Sequence, residues 1–363
     1  MTERGPETPT FDRENTWDAC LETIEEFYEK GLTDGLPVIP PTRESVDRMM
    51  AAVDRDPLEV LGNVPPRLGI ATIEAVASNA VMAGCLPEYF PVVVAAIEAI
   101  LEERFNLNGI QATTNPSTPM AIVSGPIVQE LNINSGTNVF GHGYRANATI
   151  GRAIRLVMTV LGGGYPETGD KSALGQTGKY SYLIGESPAN PWEPLHVERG
   201  FAPEESAVTM IGCESPVSFT PGGEGPDGPL WGIAEQIRAA TATIRRGGEL
   251  VLVLNPAVAS PIAARKWTKW DIKEFMYEKA RVPLAKMVAG NRIAPSTGEG
   301  TEYWPRWMEV PDPDGPTMLP VMRKPENLII TVAGGPQAGF CATCPGWGHM
   351  GGWSQTKRIQ RKK

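Results

Sequence analysis

Residues 250–256 read "LVLVLNP": five apolar residues in a row, with no alternation, closed by a small polar residue and a proline. A strand with one wet face alternates polar and apolar positions, so an unbroken apolar run implies a strand buried on both faces. Three more stretches repeat the pattern: "MAIVSGP" (120–126), "AVTMIGCESP" (207–216) and "LIITVAGGP" (328–336). Helical periodicity over 146–161, 231–245 and 261–280 supplies the layers that would cover them. The expected fold is therefore α/β, a mostly parallel or mixed sheet covered by helices. In open sheets of that kind ligands collect beyond the carboxyl ends of the strands, which makes Ser124, Cys213, Glu214, Asn255, Gly334 and Gly335 expected neighbours. A small residue followed by proline is equally how a buried strand turns.

The N-terminal part reads differently. Residues 1–14 are polar and proline-bearing and are expected to be a disordered tail. Asn15 or Thr16 then caps a helix with Trp17, Cys20, Leu21, Ile24, Phe27 and Tyr28 on one stripe. "GLPVIPPT" (35–42) is extended, because its prolines fix φ, and Thr42 caps a short helix through Met50. Thr72 starts a third helix that ends near Gly84, and after Pro87 a nearly all-apolar helix runs to about Arg104. The expected organisation is a helical section over 15–105, an α/β domain over 106–355 with long loops at 162–206 and 283–326, and a solvated basic tail at 356–363. Loops that long in a compact domain usually form or cover a site.

The 363 residues carry a net charge of −9, which argues against nucleic-acid binding, since phosphate contacts need a basic surface. No run of about 18 apolar residues is present and the N-terminus lacks a basic, then apolar, leader. A cytoplasmic protein is expected, so the five cysteines are read as thiols, ligands or catalysts rather than disulfides.

Several constellations bear chemistry. In "NVFGHGYRANATIGRAIRL" (138–156) the loop residues Gly141, His142 and Gly143, with Arg145 and Asn147, feed a helix N-terminus. Free N–H groups, the dipole and an arginine suit a carboxylate or phosphate, though the glycines fit close packing equally. Cys85 follows Gly84 and precedes a helix start, a place where a dipole stabilises a thiolate. Glu88 opposes this, and a small buried hydrophobe is the competing reading. Cys213 and Glu214 close a strand as a thiol and a carboxylate, and His196 lies between Glu193 and Glu198. "CATC" (341–344) brings two thiols into one short stretch with His349 nearby, an incomplete zinc or iron site, an incomplete redox pair, or a glycine-rich turn. "ALGQTGKY" (173–180) fails as a phosphate loop, because Ala173 stands where glycine and Tyr180 where serine or threonine is needed. No dinucleotide fingerprint is present.

"DGLPVIPPT", "NAVMAGCLPEYFPVV", "FGHGYRANATIGRAIRL" and "PWEPLHVERGF" together resemble an uncharacterised bacterial family of conserved hypothetical proteins. Some of its relatives occur beside small cysteine or selenocysteine redox proteins. The likeness covers most of residues 33–205 and implies thiol chemistry without carrying a reaction; Cys85 lies inside a matching string and "CATC" outside.

These readings converge on an enzyme that holds a small anionic or polar substrate near 141–147 and acts on it through a cysteine, first of all Cys85. A metal-dependent lyase or hydrolase built on Cys341, Cys344 and His349 is the alternative. A non-catalytic subunit docking a small thiol redox protein is the third, and a homo-oligomer is compatible with all of them.

Overall fold

The computed structural model describes residues 17–223, 225, 227–240, 248–283, 318–347 and 352–362. The fold is α/β, with parallel and antiparallel pairs in its sheets. It divides into two compact units rather than at residue 105. Unit 1 comprises residues 1–188, 193–215 and 352–363, and unit 2 comprises 189–192 and 216–351.

Strands are numbered along the chain. Unit 1 holds a hairpin, β1 (Val60–Val64) with β2 (Gly69–Thr72), inside what the sequence reads as an all-helical section. Its main sheet contains β3 (Thr118–Ser124), β4 (Leu183–Gly185), β5 (Ala207–Cys213) and β12 (Gln355–Arg358), in the order β12-β5-β3-β4. Every residue of β3 and β5 is buried, as their unbroken apolar sequences require. β3 runs antiparallel to β5, pairing Ser124 with Ala207 and Thr118 with Cys213. Ser124 and Cys213 therefore lie at opposite ends of the sheet, not at one carboxyl edge. The basic tail is also corrected: Gln355–Arg358 pairs along β5 as an edge strand, and the Ile359 N–H donates to the Ser206 carbonyl.

The helices of unit 1 begin and end where local chemistry says they should. Thr42 and Thr72 accept from the backbone N–H groups of Ser45 and Ala75, and Gly84 closes Ile73–Ala83 in the left-handed conformation. Helix Phe90–Ile100 has ten of its eleven residues buried and packs on β5 and β12. Each of its fully buried Val and Ile side chains contributes about 1.5–3 kcal/mol of burial. Helix Arg145–Val160 packs against Ile73–Ala83 and Phe90–Ile100, leaving its charged stripe outward.

Unit 2 contains β6 (Val217–Phe219), β7 (Leu250–Leu254), β8 (Arg281–Pro283), β9 (Met318–Pro320), β10 (Leu328–Val332) and β11 (Cys341–Pro345). Four of them form a sheet in the order β10-β7-β11-β6, with β10 parallel and β11 antiparallel to β7. Leu250, Leu252 and Leu254 pack with Ile233, Ile237, Ile272 and Met276 from the helices. The single helix expected at 261–280 is two, Pro256–Ala264 and Lys269–Lys279. Lys266 turns left-handed between them, and Thr268 with Asp271 forms a capping box that starts the second. Of the proposed sheet-edge neighbours, Asn255 does meet Gly335, donating to its carbonyl at 2.6 Å. Among the described residues no helix is long and apolar enough to cross a membrane.

Candidate functional site

Helix Arg145–Val160 and the polypeptide that follows it build a cleft in unit 1, about 1190 Å³ in volume. The helix ends in three glycines, and residues 162–180 fold back along it with little regular structure. Part of the long loop expected to cover a site, residues 164–180, lines this cleft. On the cleft wall Asp170 is buried and accepts Lys179 Nζ at 2.5 and 2.7 Å, Arg155 Nη2 at 3.0 Å and the Ser172 N–H at 3.0 Å. Two cations thus share one carboxylate, and the cluster carries a net positive charge.

The electrostatics follow from that arrangement. Burial alone would raise the Asp170 pKa, but the Lys179 hydrogen bond, the Ser172 N–H and the charges of both cations hold it below the usual carboxylate value. Burial pulls the Lys179 pKa down; Asp170 opposes this and Arg155 adds to it, leaving the amine below its ordinary value. Thr159, one turn beyond Arg155 on the same helix face, lines the cleft and is 3 % exposed; its hydroxyl has no hydrogen-bond partner among the described residues. Gln176 anchors the loop by donating to the carbonyls of Pro116 and Cys213, while its own side-chain oxygen accepts from Ser215.

The sequence-derived residues fall into three groups. Cys85 and Arg145 are brought together: Arg145 donates through Nε and Nη2 to the Gly84 carbonyl at 3.1 and 2.9 Å. Burial nevertheless pushes the Cys85 thiol up to about 12, although a Thr149 hydrogen bond and the charges of Arg145 and Arg152 pull the other way. The direction is opposite to that expected from the helix-start position, because desolvation of the thiolate outweighs the nearby positive charge. Tyr89 also interacts with the thiol: burial first, then Glu88 and the Cys85 charge, raise the phenol pKa.

The rest of the expected anion loop is structural. Asn147 donates to the carbonyls of Asn134 and Leu183 and accepts the Asn134 N–H, tying the helix start to β4. Gly141 has Asn138 against it so closely that a Cβ would lie 2.2 Å from the amide oxygen, and Gly143 has a φ of +113°. His142 is exposed at the tip of that turn, its carbonyl accepting from Asn138. His196 is buried in the turn Leu195–Glu198, with Nε2 3.4 Å from the Pro203 carbonyl. Cys213 is buried in the sheet, and the Glu214 carboxylate accepts from Asn115 at 2.5 Å.

Among the described residues the geometry does not support the metal reading of "CATC". Cys341 and Cys344 are not in a loop but in β11, paired on both sides. Side chains three apart on a strand point to opposite faces. Cys341 enters the helix-covered core, whereas Cys344 pairs with Val251 on the other face. The two sulfurs cannot converge on one ion or on each other, and burial raises the Cys341 pKa to about 11. His349 lies outside the described residues. Among those described, no three His, Cys, Asp or Glu side chains are grouped to hold a metal.

The sequence reading missed Arg155, Thr159, Asp170 and Lys179. A signal existed: Arg155 and Thr159 share a helix face at i, i+4, followed by a glycine run and a lysine in a second glycine loop. No protein family, curated protein or solved structure matches this chain.

Proposed function

We propose that the protein binds a small anion, a carboxylate or a phosphomonoester, in the cleft walled by Arg155 and Lys179. The observation that carries this is the sharing of one buried carboxylate by two cations. Arg155 and Lys179 outnumber the one carboxylate they share, so the cluster keeps a positive charge on the wall of a cleft of about 1190 Å³; the other charged lining residues, Glu29, Asp34 and Glu167, are acidic, and of these Asp34 is paired with Arg152. Lys179, with its lowered pKa, is the group suited to carry a proton to or from a bound substrate, which makes the reading compatible with an enzyme. A ligand anion beside Lys179 would raise that pKa again, so binding is expected to take up protons near the folded-state pKa of the amine.

The test is thermal stabilisation at low ionic strength by inorganic phosphate and by acetate. At a hundredfold excess over Kd the expected gain is about 2.7 kcal/mol. Arg155→Met and Lys179→Met should each lose most of it while remaining folded, and Arg145→Ala should keep it. Equal stabilisation of all four proteins, or of none, ends this reading.

Thiol chemistry at Cys85 is a second reading, favoured by the meeting of Arg145 and Thr149 at the sulfur. It requires local opening that rehydrates the thiol, and iodoacetamide labelling of Cys85 that keeps pace with Cys20 would support it.

A further inference from the structure

The mouth of the same cleft differs from its wall. Tyr28, Tyr180 and Leu174 line it and are 61, 51 and 92 % exposed, so the fold leaves three large apolar surfaces in water around one opening. Glu29 and Glu167 also line the mouth and are exposed, so the outer charge is negative whereas the Arg155–Asp170–Lys179 cluster is positive. Exposed large apolar side chains scattered singly are ordinary, but three of them line this one polar cleft.

We propose that the cleft selects a single-headed amphiphile: one carboxylate or phosphomonoester at Arg155 and Lys179, joined to an aromatic or branched aliphatic body lying on Tyr180, Leu174 and Tyr28. The proposal rests on the anion reading above and adds the substrate class. Each part of the ligand meets its physical complement. The head takes the uncompensated positive charge, and the Thr159 hydroxyl lies in the same wall. The body covers apolar surface that is otherwise hydrated. A second negative charge carried outward would meet Glu29 and Glu167, so the mouth rejects polyphosphates and nucleotides, in keeping with the net charge of −9.

Titration calorimetry with four ligand pairs decides it: acetate against phenylacetate, phosphate against phenyl phosphate, acetate against 4-methylpentanoate, and phenyl phosphate against ATP. The aromatic and branched members are expected to bind at least about tenfold tighter than acetate or inorganic phosphate, about 1.4 kcal/mol, with ATP weaker than phenyl phosphate. The double variant Tyr180→Ala, Leu174→Ser alters only exposed side chains; it should cut that preference to about twofold and leave acetate affinity unchanged. If large and small anions bind equally, the amphiphile proposal is overturned while the anion site stands. If ATP binds as tightly as phenyl phosphate, the rim has no selective role and the proposal is likewise overturned. If none of the anions binds, both fall, and the comparison of carboxylate with phosphate arms identifies the head group when they do bind.

Discussion

Helix Arg145–Val160 presents an arginine at each of two ends, and the two are used in opposite ways. Arg145 is exposed and bonds a neutral acceptor, the Gly84 carbonyl; Arg155 is more buried, donates to the Gly164 carbonyl at 3.3 Å and shares the Asp170 carboxylate with a lysine. Between them Arg152 grips both oxygens of Asp34 at 2.8 Å and the carbonyls of Leu36 and Pro37. Exposure and position at a helix N-terminus do not make a binding site. What distinguishes Arg155 is that it stands on a cleft wall beside a second cation and the buried Thr159 hydroxyl, which has no partner among the described residues.

The sharpest way to break the contrast is Asp170→Asn. Removing the shared carboxylate charge leaves Lys179 and Arg155 repelling each other in a partly desolvated wall, for an expected loss of about 3–5 kcal/mol in urea unfolding. The same variant tests the pH dependence. The folded-state pKa values of Asp170 and Asp34 lie below their usual values; for Asp34 burial raises the pKa but the Arg152 hydrogen bonds and charge outweigh it. Their contribution is fully present above the unfolded carboxylate pKa and is lost as pH falls through the folded values. Wild-type stability should therefore drop steeply below about pH 4, and Asp170→Asn should flatten part of that drop. An unchanged acid limb would remove Asp170 as its cause.

At the other end of the helix, Asn147→Ala should cost about 2–3 kcal/mol, since the Asn134 N–H and the Leu183 carbonyl lose their buried side-chain partner while the Asn134 carbonyl still accepts the Gly185 N–H. Stabilisation by phosphate, expressed as a fraction of the wild-type gain, should survive; its loss would return the anion site to the helix N-terminus. Arg145→Ala is expected to cost no more than about 1 kcal/mol, because water replaces an exposed guanidinium at the Gly84 carbonyl. The smallest effect is an order of reaction: iodoacetamide at neutral pH should label half-buried Cys20 before Cys85. Prior labelling of Cys85 would show that the thiol opens to solvent and would restore the nucleophile reading.

Local signals were legible in the sequence wherever the physics is local. Thr42, Thr72 and Gly84 mark helix ends through their own backbone partners, and the four apolar runs read as strands because they are short and closed by small residues and proline, whereas the longer apolar run at Phe90–Ile100 is a buried helix. "CATCP" and "QTKR" could not be read the same way. They are strands only because β7 and β6 flank one and β5 offers an edge to the other, and pairing partners leave no trace in five residues. The break at 265–268 was readable, since "TKWD" spells a capping box. The site was harder: Arg155, Asp170 and Lys179 meet through a loop without periodicity, and nothing in their spacing says that one carboxylate serves two cations.

The strand Gln355–Arg358 has a consequence for the order of assembly. It completes the sheet of unit 1, yet it is translated only after the whole of unit 2, which leaves that sheet's β5 edge unpaired for on the order of ten seconds on the ribosome. An open, fully apolar strand is a hazard for intermolecular pairing during that interval. Lys357 and Arg358 of the returning strand, paired with Glu102 and Glu205, fasten it there once it docks.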